Sequence, residues 1–210
     1  MGKVIADISV SLDGFVTGPD DGPGQGLGRG GEGLHNWVMG RPWRYDDGGP
    51  RFEPDDVDRK VLEHAMSGGA SIIGRRMFDT TAGWGGQPPG TPQLSYFVLT
   101  HEAPAQWLTP DSPFTFVTDG IESALAQARA AAGERDVAIG GGANVIQQYL
   151  AAGLVDELRL HVAPMLLGAG RRLFDHLGGQ VSDGPIELEL AGVVESPFAT
   201  HLTYTVPRAS

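Results

Sequence analysis

Two glycine-marked turns hold the residues best suited to chemistry. In VAIGGGANVIQQYL, Val137 to Leu150, an apolar run passes straight into Gly140, Gly141 and Gly142, and a helical pattern begins at Ala143. Glycine lets a backbone approach a ligand closely, and N–H groups at a helix start favour an anion through the aligned peptide dipoles. That combination suits a pyrophosphate. A tight strand-to-helix turn that needs positive φ would use the same glycines, so the residues alone leave both readings open. The spacing is not the dinucleotide fingerprint G-x-G-x-x-G, which would place glycine at Val145 and an acidic residue about 20 positions later. A literal G-x-G-x-x-G does stand at Gly26 to Gly31, but no apolar strand precedes it and no apolar helix follows. It lacks the context that gives the motif its meaning.

The second turn is SIIGRRMF, Ser71 to Phe78, where a short apolar run ends at Gly74 and two arginines follow. The planar guanidinium matches phosphate oxygens, so Arg75 or Arg76 could read the 2′-phosphate that separates NADPH from NADH. Surface ion pairing is the alternative for either arginine. Thr100 and His101 end a neighbouring apolar run and could donate to the same phosphate. Asp7 and Ser9, at odd positions of the first alternating run, and His161, near the end of another, are candidate polar groups facing a substrate. Ordinary sheet positions are the alternative for each.

Other chemistry is disfavoured. The chain has 26 acidic and 15 basic residues, a net charge of −11 and no basic run, which argues against nucleic acid as a partner. It has no cysteine, which excludes disulfides, thiolate metal sites and a cysteine nucleophile and leads us to expect a cytoplasmic protein. The six histidines lack ligand spacing, so no metal site is expected. No stretch approaches the roughly 20 apolar residues of a membrane helix.

The elements that must position these groups alternate. Lys3 to Leu12 alternates apolar and polar residues and predicts a half-buried strand. A Gly/Pro-rich loop insertion follows over residues 18–54. Pro54 and Asp55 open a helix carrying Val57, Val61, Leu62 and Ala65, which ends near Gly68. Ala70–Gly74, Ser95–Thr100, Phe114–Thr118 and Val137–Gly140 read as strands. Asp119 and Glu122 resemble a capping box before a helix that runs to Gly133. Ala143–Ala152 reads as a helix and Leu158–Ala163 as a strand. Ile186–Leu190 and His201–Val206 alternate strictly and predict an antiparallel ribbon. The expected architecture is α/β: one domain over residues 1–210, with a mixed, mostly parallel sheet between helical layers.

SVSLDGFVTGPD, IIGRRMFDT, FVLTHEAP, VAIGGGANVIQQYL and LVDELRLHVAPMLLGAGRRLF occur in the order and spacing of the dihydrofolate-reductase-like superfamily. They most resemble the C-terminal reductase domain of riboflavin biosynthesis and its stand-alone relatives. The resemblance implies a three-layer α/β/α fold around an eight-stranded sheet, NADPH as hydride donor, a small heterocyclic substrate reduced at a C=N or C=O carbon, and a homodimer. It sets the riboflavin-pathway reduction of 5-amino-6-(5-phosphoribosylamino)uracil beside dihydrofolate reduction and a non-catalytic nucleotide-binding module. The first of these would need a second cationic site such as Arg171 or Arg172. Carried across residue by residue, Gly74, Arg75, Arg76 and Met77 match the first phosphate turn, and Leu99 and Thr100 the segment beside the adenosine phosphate. Gly140, Gly141, Gly142, Ala143, Asn144 and Val145 match the turn under the pyrophosphate and nicotinamide ribose. Ser9 and Val16 match positions lining the nicotinamide pocket. Asp13 and Gly14 match the SLDG signature, for which a structural turn is as good a reading as chemistry. The helix carboxylate that binds pterin in dihydrofolate reductase has five candidates here, Asp46, Asp47, Asp55, Asp56 and Asp58, with no spacing to choose among them.

Overall fold

The computed structural model describes residues 2–47, 52–177 and 184–207. Among the described residues, ten strands and five α-helices follow in chain order: β1 (Val4–Ser11), β2 (Phe15–Thr17), α1 (Asn36–Met39), α2 (Asp56–Ala65), β3 (Ala70–Gly74), α3 (Arg75–Thr80), β4 (Ser95–Leu99), β5 (Phe114–Val117), α4 (Ile121–Ala132), β6 (Val137–Gly141), α5 (Ala143–Ala151), β7 (Glu157–Ala163), β8 (Arg171–Arg172), β9 (Glu189–Glu195) and β10 (Thr200–Thr205). Eight strands form one sheet in the order β5-β4-β3-β6-β1-β7-β10-β9. The first six are mutually parallel, β10 runs antiparallel to both β7 and β9, and the short β2 and β8 pair separately.

Alternation along β1 sorts its side chains. Val4, Ala6, Ile8 and Val10 pack with Ile72 and Ile139 against Leu125 and Ala128 of α4 and Ile146 and Tyr149 of α5. The opposite face carries Asp7, Ser9 and Ser11. On that side lie α2, α3 and Trp37; Trp37 packs with Val38, Val61 and Leu62, and Phe78 of α3 packs on Ile73, Tyr96 and Phe114. Apolar burial therefore closes one face of β1, whereas the polar face opens toward α2.

Three expectations shift. The capping box at Asp119 does not form: Gly120, at φ 106°, occupies the cap of α4, and no side chain caps it. The strand expected over Ile186–Leu190 begins at Glu189 and runs to Glu195. Its register is set from the far end, where Ser196 N–H donates to the Ala199 carbonyl (2.9 Å) and closes a turn that pairs Glu195 with Thr200. Within 18–54, Gly31–His35 winds into a 3₁₀ turn and α1 follows, burying Trp37 to 3% exposure. This segment contributes core.

Candidate active site

Parallel pairing of β3 with β6 brings the two glycine turns together, with Ile73 opposite Gly141. A Cβ on Gly74 would lie 2.8 Å from Val145 Cγ2 and 3.6 Å from the Gly142 nitrogen, so the turns touch only because Gly74 has no side chain. Gly141 sits at φ 121°, and a Cβ there would meet Met77 Sδ at 3.4 Å and Ile8 Cδ1 at 3.7 Å. At Gly142 a Cβ would meet nothing within 4 Å, and no side chain caps α5. The turn thus presents bare backbone to open space. Ala143 opens α5, and Asn144 turns its side chain back along the helix to accept from Gln148 Nε2 (2.6 Å).

The paired arginines go to different places. Arg75 leans toward the end of β4: its Nη1 donates to the Glu102 carbonyl (2.8 Å) and lies 3.5 Å from the Thr100 hydroxyl, and its Nε pairs with Asp79 (2.8 Å). Thr100 is buried at that edge, and Leu99 packs toward the core. Arg76 points the other way, into a fork around Asp21 (2.8 and 2.9 Å) that Arg171 also joins (3.1 Å). Asp21 is largely buried between them, and their hydrogen bonds hold Arg76 above its ordinary pKa. Arg76 therefore ties the 18–54 segment to α3. Arg171 is spent on the same tie, and Arg172 stacks over the Phe15 ring at 4.4 Å.

The SLDG carboxylate is a tie as well. Asp13 accepts from the Ser11 hydroxyl (2.6 Å) and from the backbone N–H groups of Leu167 (3.0 Å) and Gly168 (2.7 Å). These donors, the Ser11 hydroxyl foremost, hold it down at a pKa of about 2. Val16 packs into the main core.

On the polar face of the sheet, α2 roofs a cavity of about 710 Å³ whose walls include Asp7, Lys60, His64, Arg159, His161 and His201. Asp7 and His161 stand together, His161 Nε2 lying 2.9 Å from Asp7 Oδ1. Burial, the largest single influence, pushes the Asp7 carboxyl up, but His161, Arg159 and His64 together outweigh it and leave it below the usual carboxylate value. Ser9, expected to face substrate, instead lies beneath Trp37 and accepts from its Nε1–H at 2.9 Å. Trp37 also packs on His161, ring centre to ring centre, at 4.4 Å.

One member of this wall, His201, is absent from the sequence expectations. His201 lies directly opposite His161 in the β7–β10 ladder, with the two Nδ1 atoms 2.8 Å apart. Its Nε2 meets Asp58 Oδ1 at 2.8 Å. Burial, the largest influence on His201, holds its pKa below the usual value against the pull of Asp58. Of the five candidate aspartates, Asp58 alone is fully buried, whereas Asp55 caps α2 by accepting from Val57 and Asp58 N–H. A signal for Asp58 exists in the sequence: with Val61, Leu62 and Ala65 it falls at helical spacing on one stripe, a carboxylate on an apolar face.

The sheet order, flanking helices and C-terminal antiparallel strands define a dihydrofolate-reductase-like α/β fold. The sequence matches the RibD C-terminal domain over residues 2–202, and the chain belongs to that family. It is 26% identical over 182 residues to the uncharacterized protein YyaP of Bacillus subtilis (strain 168), covering 82% of this chain and 80% of that one. Its fold is similar to that of a putative riboflavin biosynthesis protein from Shewanella sp. PV-4, with a TM-score of 0.69 at 21% identity over 98% of this chain and 99% of the other. It is also similar to that of dihydrofolate reductase from Enterococcus faecalis complexed with NADP(H) and RAB-propyl, with a TM-score of 0.58 at 17% identity over 98% and 96%. Among the described residues, no helix is long and apolar enough to cross a membrane.

Proposed function

We propose that the chain is a reductase that binds NADPH across the two glycine turns and reduces a small heterocyclic substrate in the cavity under α2. The observation that carries this reading is the contact of Gly74 with Gly142 and Val145 at neighbouring strand ends, beside Arg75 and Thr100. Ligands of open α/β sheets bind outside the carboxyl ends of the strands, which is where these groups lie. The residues fit the cofactor: bare backbone at Gly141 and Gly142 and the uncapped start of α5 would take the pyrophosphate, and Arg75 with Thr100 the 2′-phosphate.

When bound, the cofactor supplies hydride to a C=N or C=O carbon. The chain's part is to position the acceptor, exclude water and stabilise the charge that develops. Trp37 packs behind His161 and holds that ring in the cavity wall. Asp7 and His161 offer hydrogen bonds to a polar ring.

The family's riboflavin-pathway substrate bears a phosphate, and both arginines expected to read it are already engaged, Arg171 by Asp21 and Arg172 by Phe15. A pterin would need a carboxylate with two free oxygens, and Asp58 commits one to His201. A non-phosphorylated pyrimidine or related heterocycle fits better. The test is titration with NADPH and NADH by fluorescence, followed by absorbance at 340 nm with a panel of pterins, pyrimidines and carbonyl compounds. Failure of both nucleotides to bind overturns the reading, and binding without turnover of any acceptor supports a nucleotide-binding module instead.

A further inference from the structure

Asp58, His201, His161 and Asp7 form an unbroken chain of hydrogen bonds, of 2.8, 2.8 and 2.9 Å in that order. The four side chains come from α2, β10, β7 and β1, so the chain runs from the buried Asp58 to Asp7 in the cavity wall. Each bond needs one proton. Two neutral imidazoles hold two of the three; the third either makes one ring an imidazolium or makes one carboxylate a carboxylic acid. These forms differ only by hops along the chain. Moving every proton one place carries a proton from the Asp58 end to the Asp7 end.

A purely structural network would satisfy its buried atoms, because an unpaired polar atom away from water is costly. This one leaves its two ends open: among the described residues, Asp7 Oδ2 and Asp58 Oδ2 are buried without a hydrogen-bond partner. Asp7 is also placed for transfer. Asp7 lines the cavity, and the next residue of β1, Ile8, lies against the Gly141 turn, 3.7 Å from where a Cβ on that glycine would stand. The cavity wall and the proposed nicotinamide turn are thus reached by consecutive residues of one strand.

We infer that Asp58, His201, His161 and Asp7 are a proton relay that delivers its proton from Asp7 to the substrate atom next to the carbon being reduced. The inference rests on the reductase reading above. As hydride from the nicotinamide reductant forms the new C–H bond, the π pair of the C=N or C=O bond moves onto nitrogen or oxygen. That atom takes the proton as a hop from the His161 ring brings it to the Asp7 carboxylate, giving an amine or alcohol. The relay, one proton short, refills from solvent through the cavity after product leaves. The other titratable or charged groups around it are His35 in the turn before α1, His64 and Lys60 on α2, and Arg159 on β7. Asp7 touches the substrate and is the catalytic residue; His161, His201 and Asp58 act through it.

Histidine imidazole ¹⁵N NMR of the full chain, with and without NADPH, tests the coupling without any acceptor. A ¹⁵N–¹⁵N scalar coupling across the hydrogen bond is expected between the Nδ1 atoms of His161 and His201, and Asp58→Asn is expected to move the ring ¹⁵N shifts of His161, which it does not touch. Absence of that coupling overturns the relay, as do unmoved His161 shifts; the wild-type coupling decides even where Asp58→Asn fails to fold. With an acceptor from the panel, Asp7→Asn is expected to lower kcat at least about 100-fold while the Kd for NADPH stays within about twofold. His201→Gln is expected to shift the pH profile of kcat. Wild-type turnover by Asp7→Asn overturns the relay and spares the reductase reading, whereas loss of NADPH binding by the wild-type chain overturns that reading first.

Discussion

Arg75 and Arg76 are adjacent in sequence and should behave differently. Arg75 lies at the end of β4 with its guanidinium between the Glu102 carbonyl and Asp79, partly exposed. A 2′-phosphate there would gain a charge-assisted hydrogen bond of about 1.5–3 kcal/mol. It would displace an exposed i,i+4 ion pair with Asp79 that contributes about 0.3–0.5 kcal/mol. The difference is about 1–2.5 kcal/mol, so Arg75→Ala should weaken NADPH by about 5- to 70-fold. NADH, which lacks the phosphate, should change by less than about twofold. Arg76→Ala breaks the fork on Asp21 and frees the 18–54 segment, so both nucleotides should weaken together. Titrating both variants with both nucleotides at low and moderate salt measures this directly. Equal losses of NADPH and NADH in Arg75→Ala, or no loss at all, would refute the phosphate assignment.

Gly74→Ala should destabilise the fold by about 1–3 kcal/mol through overpacking, because its Cβ falls 2.8 Å from Val145 Cγ2 while its backbone, at φ −84°, accepts any residue. Urea unfolding of Gly74→Ala/Val145→Ala should recover part of that loss; strict additivity counts against the contact. His35 is held at a pKa of about 4, chiefly by burial and then by His161, so its neutral form favours the fold. Its contribution is full above its ordinary value of 6.5 and is lost as pH falls toward 4, by about 3 kcal/mol at most. Denaturation at pH 7 and pH 4.5 should show a smaller acid loss in His35→Asn than in wild type. On the edge strand β9, Leu190, Val193 and Val194 are exposed, a liability that a second copy would cover. Sedimentation should give a dimer that Leu190→Lys/Val194→Lys converts to monomer, and a wild-type monomer would dismiss this interface.

What could be read from the sequence was local. Alternation in β1 and β10, the apolar stripes of α2 and α4 and the glycines ending β3 and β6 all depend on neighbours a few residues away, and each marks an element that forms. The meeting of the two glycine turns was not local: β4 and β5 separate β3 from β6 in the chain, and only the sheet order sets their carboxyl ends side by side. The missed groups depend on distant register. His161 and His201 are 40 residues apart, and Asp58 and His201 are 143 apart. Only the β7–β10 ladder puts the two rings opposite one another, and only the seating of α2 brings Asp58 beneath them. Asp21 was hidden for the same reason, inside a glycine-rich stretch whose composition suggests a plain loop.

Arg75 and Arg76 show the finer limit. Consecutive residues on a helix point about 100° apart, so one of an adjacent pair can face the β4 edge only if the other faces away. The residue type forecast phosphate chemistry for both. Geometry leaves it to Arg75 and turns Arg76 into the anchor of the segment that carries Trp37. Trp37 packs on both imidazoles and donates to the Ser9 hydroxyl, so the segment that Arg76 anchors also carries the ring that packs on the proposed relay.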